Sequence, residues 1–292
     1  MTQADLRWGV ERRLEYIEFR LFWSGGVNRS DIIDQFDVSV PQASKDLTLY
    51  QELAPDNAVY DKSAKRYVAA QDFTPRFLSA DPYSYLSRLR SLAEGLVDTA
   101  ESWIPDAPST DVAMTPRRKI GVDTLRAVLN ALRTPSSIEV LYQSMNPRNP
   151  EPLWRRITPH AFGFDGLRWH VRAYCHREQK FRDFLLPRIL GVREPGAAGL
   201  SGSADDLWEE RFSVEIEPHP ALTQSQREVV AMDYGMEGGK TILQVRYAML
   251  FYVLKRLGLL GDAAKQNPKQ QHIVLHNGRE TEAALARAGY FD

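Results

Sequence analysis

The chain has 292 residues, of which 43% are hydrophobic and 26% charged, and a formal net charge of −1. That length suggests two or three domains at roughly 100–150 residues each, and the composition excludes disorder, collagen and, with Cys175 as the one cysteine, a disulfide scaffold. The near-neutral total hides a segregation: residues 1–70 carry −2, 71–116 carry −4, 117–200 carry +8 and 201–292 carry −3. In the third segment 13 of the 15 basic residues are arginines. A guanidinium fork suits carboxylates, phosphates and base edges.

In residues 7–23, apolar Val10, Leu14, Ile17 and Leu21 fall at helical spacing, and Gly25-Gly26 ends the helix. A short second helix follows, with Asn28 as cap and Ile32, Ile33 and Phe36 as its apolar face. Asp37-Val38-Ser39 is a turn, and Ser39-Val40-Pro41-Gln42 is an N-cap signal with Gln42 at the capping-box position. The third helix, residues 40–53, turns Ala43, Leu47 and Tyr50 inward and leaves Gln42, Lys45 and Thr48 outward, with Ser44 at the margin. Side chains early on such a helix reach base edges in the major groove. Residues 58–60 and 66–68 then flank a turn carrying Lys62 and Lys65, a basic hairpin placed for phosphate contact. Arg29, Gln42, Ser44, Lys45, Thr48, Lys62, Lys65 and Arg66 are the candidate DNA-binding residues. The run Phe36-Asp37-Val38-Ser39-Val40-Pro41-Gln42-Ala43-Ser44-Lys45-Asp46-Leu47 resembles the helix-turn-helix of bacterial DeoR-like winged repressors.

Asp81-Pro82 opens a connecting helix with Tyr85, Leu89, Leu92 and Leu96 on one face, ending near Trp103. Residues 123–132 read as another helix, and beyond them strand patterns dominate. Residues 138–145 alternate, placing Val140, Tyr142 and Ser144 together; a turn at 146–150 leads to a strand at 153–159, and Asp165-Gly166 is a hairpin signal. In 167–175 one face is Trp169, Val171, Ala173 and Cys175, and the other an unbroken polar row of Arg168, His170, Arg172 and Tyr174. Residues 181–189 put Arg182, Phe184, Leu186 and Arg188 on one side. Such a face fits an anion pocket, with Tyr142, Ser144, His160, Arg168, His170, Arg172, Tyr174, Arg182 and Arg188 as candidate ligand-binding residues. Acidic residues look scarce on it.

Trp169-His170-Val171-Arg172-Ala173-Tyr174-Cys175, with Phe181-Arg182-Asp183-Phe184 and Arg188-Ile189, resembles the signature strands of a WYL domain, its naming triplet here Trp169-His170-Val171. The His variant resembles regulators beside phage-defence operons of the BREX and CBASS kinds. The resemblance implies a ligand-sensing, Sm-like small β-barrel that binds an anionic or nucleotide-like effector, in a homodimeric repressor. Past it, strand, helix, strand and helix at 212–217, 222–232, 241–249 and 251–259 resemble the C-terminal extension of these regulators, suited to dimerisation, with a last helix at 281–288.

The expected fold is α+β and multidomain: a winged helix-turn-helix at 1–75, a helical linker at 76–118, the WYL domain at 119–196, and an α/β dimerisation domain at 205–292. Cys175 and His176, adjacent on a strand, point apart and cannot act together. His272 and His276 suit a metal only on a helix, whereas Ile273-Val274-Leu275 favours a strand. No Walker loop, GxGxxG or GxSxG is present, so no enzyme, cofactor or metal is expected; a nuclease using His160 or His170 is set aside. The longest apolar run, 248–254, is far short of the ~20 residues of a membrane helix. Met1-Thr2-Gln3-Ala4-Asp5 lacks a signal-peptide layout, and a cytoplasmic location is expected. The resulting expectation is a homodimeric repressor on an inverted-repeat, double-stranded DNA operator. The alternative is a protein-interaction adaptor using the same modules without DNA. On charge, the sensor holds the stronger anion-binding potential.

Overall fold

A computed structural model describes residues 7–147 and 150–289, so the start of the chain, and Arg148 and Asn149 of the expected turn, lie outside it. The chain divides into two compact units, residues 1–115 and 116–292.

In the first unit, α1 (Trp8–Ser24) buries Leu14, Ile17 and Leu21 and ends at Gly25, in the left-handed region at φ 71°. Gly26 is required for a different reason: a Cβ there would lie 2.5 Å from the carbonyl of Tyr67. α2 (Arg29–Phe36) starts with a full capping box, Asn28 and Asp31 each accepting from the other's backbone N–H. α3 (Val40–Leu53) follows its Ser39 cap, which accepts from the Gln42 N–H. Gln42 does not return the bond; its amide donates to Asp46 instead. Ala43, Leu47 and Tyr50 are buried, as the spacing predicts. β1 (Ala58–Asp61) and β2 (Arg66–Ala69) pair Asp61 with Arg66, and a bridge from Val27 to Tyr67 ties the hairpin to the loop after α1.

The connecting helix breaks in two, α4 (Pro82–Ala93) and α5 (Thr99–Ser102), because Gly95 takes φ 63°. It is more than a spacer: Leu89, Trp103 and Ile104 complete the core around Tyr16 and Phe19. Glu18, wholly buried, gathers the unit. Its carboxylate accepts from the Tyr50 hydroxyl and from the N–H groups of Arg76, Phe77 and Leu78.

In the second unit, α6 (Val122–Arg133) lays Val128 and Ala131 on an antiparallel sheet ordered β6-β5-β4-β3-β7. The strands are β3 (Ser137–Tyr142), β4 (Leu153–Phe164), β5 (Trp169–Cys175), β6 (Lys180–Leu185) and β7 (Ile189–Gly196). In place of the expected barrel, the described residues form an open ladder with β6 and β7 at its edges. The expected strand over 181–189 is interrupted by a 3-10 turn at Leu186–Arg188, which carries the chain across to the far edge. β4 runs five residues past its expected end and holds a bulge, since Pro159 pairs with Ala173 but Ala161 with Arg172. The extra residue is His160.

After β7 an irregular stretch leads through α7 (Asp206–Glu209) to a three-stranded antiparallel sheet ordered β10-β8-β9. It consists of β8 (Arg211–Pro218), β9 (Thr241–Arg246) and β10 (Ile273–Leu275), with α8 (Gln224–Asp233), α9 (Leu250–Arg256) and α10 (Gly278–Arg287). Its core joins Val214, Ile216, Leu250, Leu254 and Leu285. β9 is shorter than its pattern, giving way to a 3-10 turn at Tyr247–Met249. Among the described residues, no helix is long and apolar enough to cross a membrane.

Candidate nucleic-acid interface and anion site

The outer side of α3, the start of α2 and the wing face one concavity of about 330 Å³. Arg29, Ser44, Thr48 and Lys65 line it, with Tyr60 and Tyr67. Lys45 and Thr48 are exposed; the hydroxyls of Ser44 and Thr48 bond back to the carbonyls of Val40 and Ser44. Gln42 is steadied by Asp46, itself held by Arg13 at 2.6 Å. At the wing tip, Asp61 accepts from the Ser63 hydroxyl and from the N–H groups of Ala64 and Ser63, which holds its carboxyl below the ordinary range. That turn sets Lys62 and Lys65 in solvent. Arg66 is placed differently: half-buried, it donates to the carbonyl of Gly25 at 2.7 Å and so braces the wing against α1.

The polar face of β5 departs from expectation. His170 and Arg172 are 3% and 5% exposed, and carboxylates meet them. Arg172 takes Asp205 in a fork, Nε at 2.7 Å and Nη2 at 3.0 Å, and reaches Asp183 with Nη1 at 3.3 Å. Asp205 also meets Nε2 of His160 at 2.9 Å. An ionised carboxylate only accepts, so that nitrogen carries the proton. Asp165, in the turn before β5, meets Arg168 at 2.8 Å and His170 at 3.1 Å. Acidic residues are therefore not scarce on this face. Two of the three enter from a turn and a connecting segment, outside the strand alternation.

These contacts set the protonation. Burial pushes Asp205 upward, but hydrogen bonds from His160 and Arg172 outweigh it and hold the carboxyl below its usual range. Burial works against the charge of Arg172, and the hydrogen bonds and charges of Asp205 and Asp183 more than reverse it, raising its pKa. For Asp165, burial is outweighed by His170, Arg168 and the N–H groups of Leu167 and Arg168, leaving it well below the ordinary carboxylate value.

The other nominated residues scatter. Tyr142 lies in the core, its hydroxyl accepting from the Leu185 N–H. Ser144 sits past β3, accepting from the Asn146 N–H. Tyr174 is half-buried against His176 and Phe181. Arg182 is offset from the expected row: its register partner is Ala173, while Asp183 stands opposite Arg172, yet Arg182 lines one cavity with Arg172. Its guanidinium joins Glu178 at 3.0 Å, which also binds Arg155. Arg188 lies on the 3-10 turn, out of the expected row. The residues brought together are His160, His170 and Arg172, joined by Asp183, Asp205 and Tyr252, with Arg168 tied to His170 through Asp165. The Tyr252 ring lies 4.6 Å from that of His170, tilted by 49°, and its hydroxyl donates to Asp183. Asp183 was legible had the register been shifted by one residue; Asp205 and Tyr252 carried no sequence signal.

Models of known families match the chain in three places. They describe the BrxR transcriptional regulator winged helix-turn-helix domain at residues 9–91, the WYL domain at 123–194, and the BrxR transcriptional regulator C-terminal dimerization domain at 211–281. The DNA-binding transcriptional repressor CapW of Stenotrophomonas maltophilia is 45% identical over 280 residues, covering 96% of this chain and 93% of the relative. The chain belongs to the CapW family. CapW of Pseudomonas aeruginosa is 40% identical over 94% of this chain and 91% of its own, and CapW of Escherichia coli 37% over 96% and 93%. These CapW relatives are named as repressors of transcription and not as enzymes, so the nuclease reading falls.

Proposed function

We propose that this chain is a homodimeric, sequence-specific transcriptional repressor whose central site senses an anionic or nucleotide-like effector and thereby controls a phage-defence operon. The observation that carries the DNA-reading part is the groove lined by Arg29, Ser44, Thr48 and Lys65, with Lys45 and Lys62 exposed beside it. Cations there meet phosphates, while Gln42, Lys45 and Thr48 meet base edges. A twofold pair of such helices calls for an inverted repeat. The effector part rests on the Arg172–His160 pair, a fork and an imidazole suited to one oxyanion. The division at 1–75, 76–118, 119–196 and 205–292, and a cytoplasmic location, belong to the same proposal.

Footprinting on DNA upstream of the chain's own gene, with gel shifts at fixed salt, tests it. Gln42→Ala should lose discrimination between the footprinted site and scrambled DNA, while Lys65→Ala weakens both alike. If both variants bind as wild type does, α3 and the wing are not the reader.

A further inference from the structure

The segment between β7 and α7 lies flat across the polar face of the WYL sheet. The N–H of Gly199 donates to the Thr158 hydroxyl at 2.8 Å, and a Cβ on Gly199 would meet the Tyr174 ring at 2.6 Å. A Cβ on Gly202 would lie 2.7 Å from the His160 ring. Three residues on, Asp205 closes the strap onto Arg172 and His160. The strap thus covers three side chains nominated for the effector: Tyr174, His160 and Arg172.

We propose that Asp205 is a built-in competitor for the anion site: its carboxylate holds the Arg172–His160 fork that an effector's phosphate must take, and effector binding lifts the 197–205 strap from the sheet. The proposal rests on the sensing role given above to that fork. The exchange is nearly balanced, because an incoming oxyanion can reuse all three donors and the displaced carboxylate regains water. Asp183, held by Tyr252 of α9, keeps Arg172 oriented while Asp205 leaves. Next to the fork is a cavity of about 510 Å³ lined by Lys180, Arg182, Asp206, Tyr252 and Arg287 among others, with room for the rest of an effector. The strap runs straight into α7 and β8, so its release is felt where the C-terminal domain begins.

Calorimetry on the full chain with inorganic pyrophosphate as probe tests this. A competitor lowers apparent affinity by the fraction of chains whose site is open. Asp205→Asn should therefore bind pyrophosphate about tenfold more tightly than wild type, the scale of one charge-assisted contact removed. Gly202→Ala, which crowds His160 and prises the strap up, should move affinity the same way and serves where Asp205→Asn does not fold. Elastase cleavage within 197–204 should rise in both variants, and in wild type saturated with pyrophosphate. Folded variants that bind no tighter, while Arg172→Lys abolishes binding, would overturn the competitor and leave the sensing role standing. Binding unchanged in Arg172→Lys would overturn the sensing role itself.

Discussion

The winged helix and the polar face of the WYL sheet use their cations differently. Residues 1–70 carry −2 and residues 117–200 carry +8, which on charge alone favours the WYL segment as the stronger anion binder. The structure shows how many of those charges are already matched. Arg155, Arg156, Arg168, Arg172, Arg182 and Arg193 each pair with a carboxylate. Arg29, Lys45, Lys62 and Lys65 are exposed, and none has a carboxylate partner among the described residues. Steering of a polyanion depends on the local potential of unpaired, exposed charge rather than on the total. Six of the 13 arginines in 117–200 are thus held by carboxylates of their own domain, while Arg29, Lys45, Lys62 and Lys65 face solvent around one groove.

Four substitutions should sharpen that contrast, from the largest effect to the smallest. Arg172→Ala leaves Asp183 and Asp205 buried without their cation, and should cost about 3–5 kcal/mol in urea denaturation. Its burial and its two carboxylates make it part of the fold as well as of the candidate site. In the reader, Glu18→Ala strips the acceptor from three N–H groups and a tyrosine hydroxyl, for a loss of roughly 2–4 kcal/mol. A change below about 0.5 kcal/mol there would show that segment 76–78 is held by something else. Lys65→Ala should leave stability within about 0.5 kcal/mol of wild type while reducing affinity for every duplex by a similar factor. Last, Asp165 has a depressed pKa in the folded state, so its contribution is complete above the unfolded value near 4 and is lost as pH falls through the lower folded value. Asp165→Asn should lower stability at neutral pH and flatten the acid limb below about pH 4. An acid limb as steep as that of wild type would assign the protonation to other carboxylates.

Local signals were readable where one residue type meets one physical need. Ser39 and Asn28 are caps by chemistry, and the inward set Ala43, Leu47 and Tyr50 follows from helical period alone. The core parity of Val171, Ala173 and Cys175 was equally plain. Trp169, on the same parity, stays 47% exposed at the strand end, packed on Phe164. Long-range pairing was not readable. The bulge at His160, the register that sets Asp183 rather than Arg182 opposite Arg172, and the return of Asp205 across 33 residues each depend on tertiary placement. Asp205 sits in a stretch of Ala, Gly and Ser with no periodicity. Hence the cationic half of the candidate site was legible and its anionic half was not.

The contrast between exposed and paired cations is tested most directly by the salt dependence of DNA affinity. Each phosphate neutralised contributes a slope of about −0.9 in log K against log salt. Wild type, Lys62→Ala with Lys65→Ala, and Arg182→Gln with Arg193→Gln would be compared on the fragment upstream of the chain's own gene. The expected result is a slope shallower by up to about 2 for the lysine pair and unchanged for the arginine pair. A slope that flattens for the arginine pair and holds for the lysine pair would contradict it.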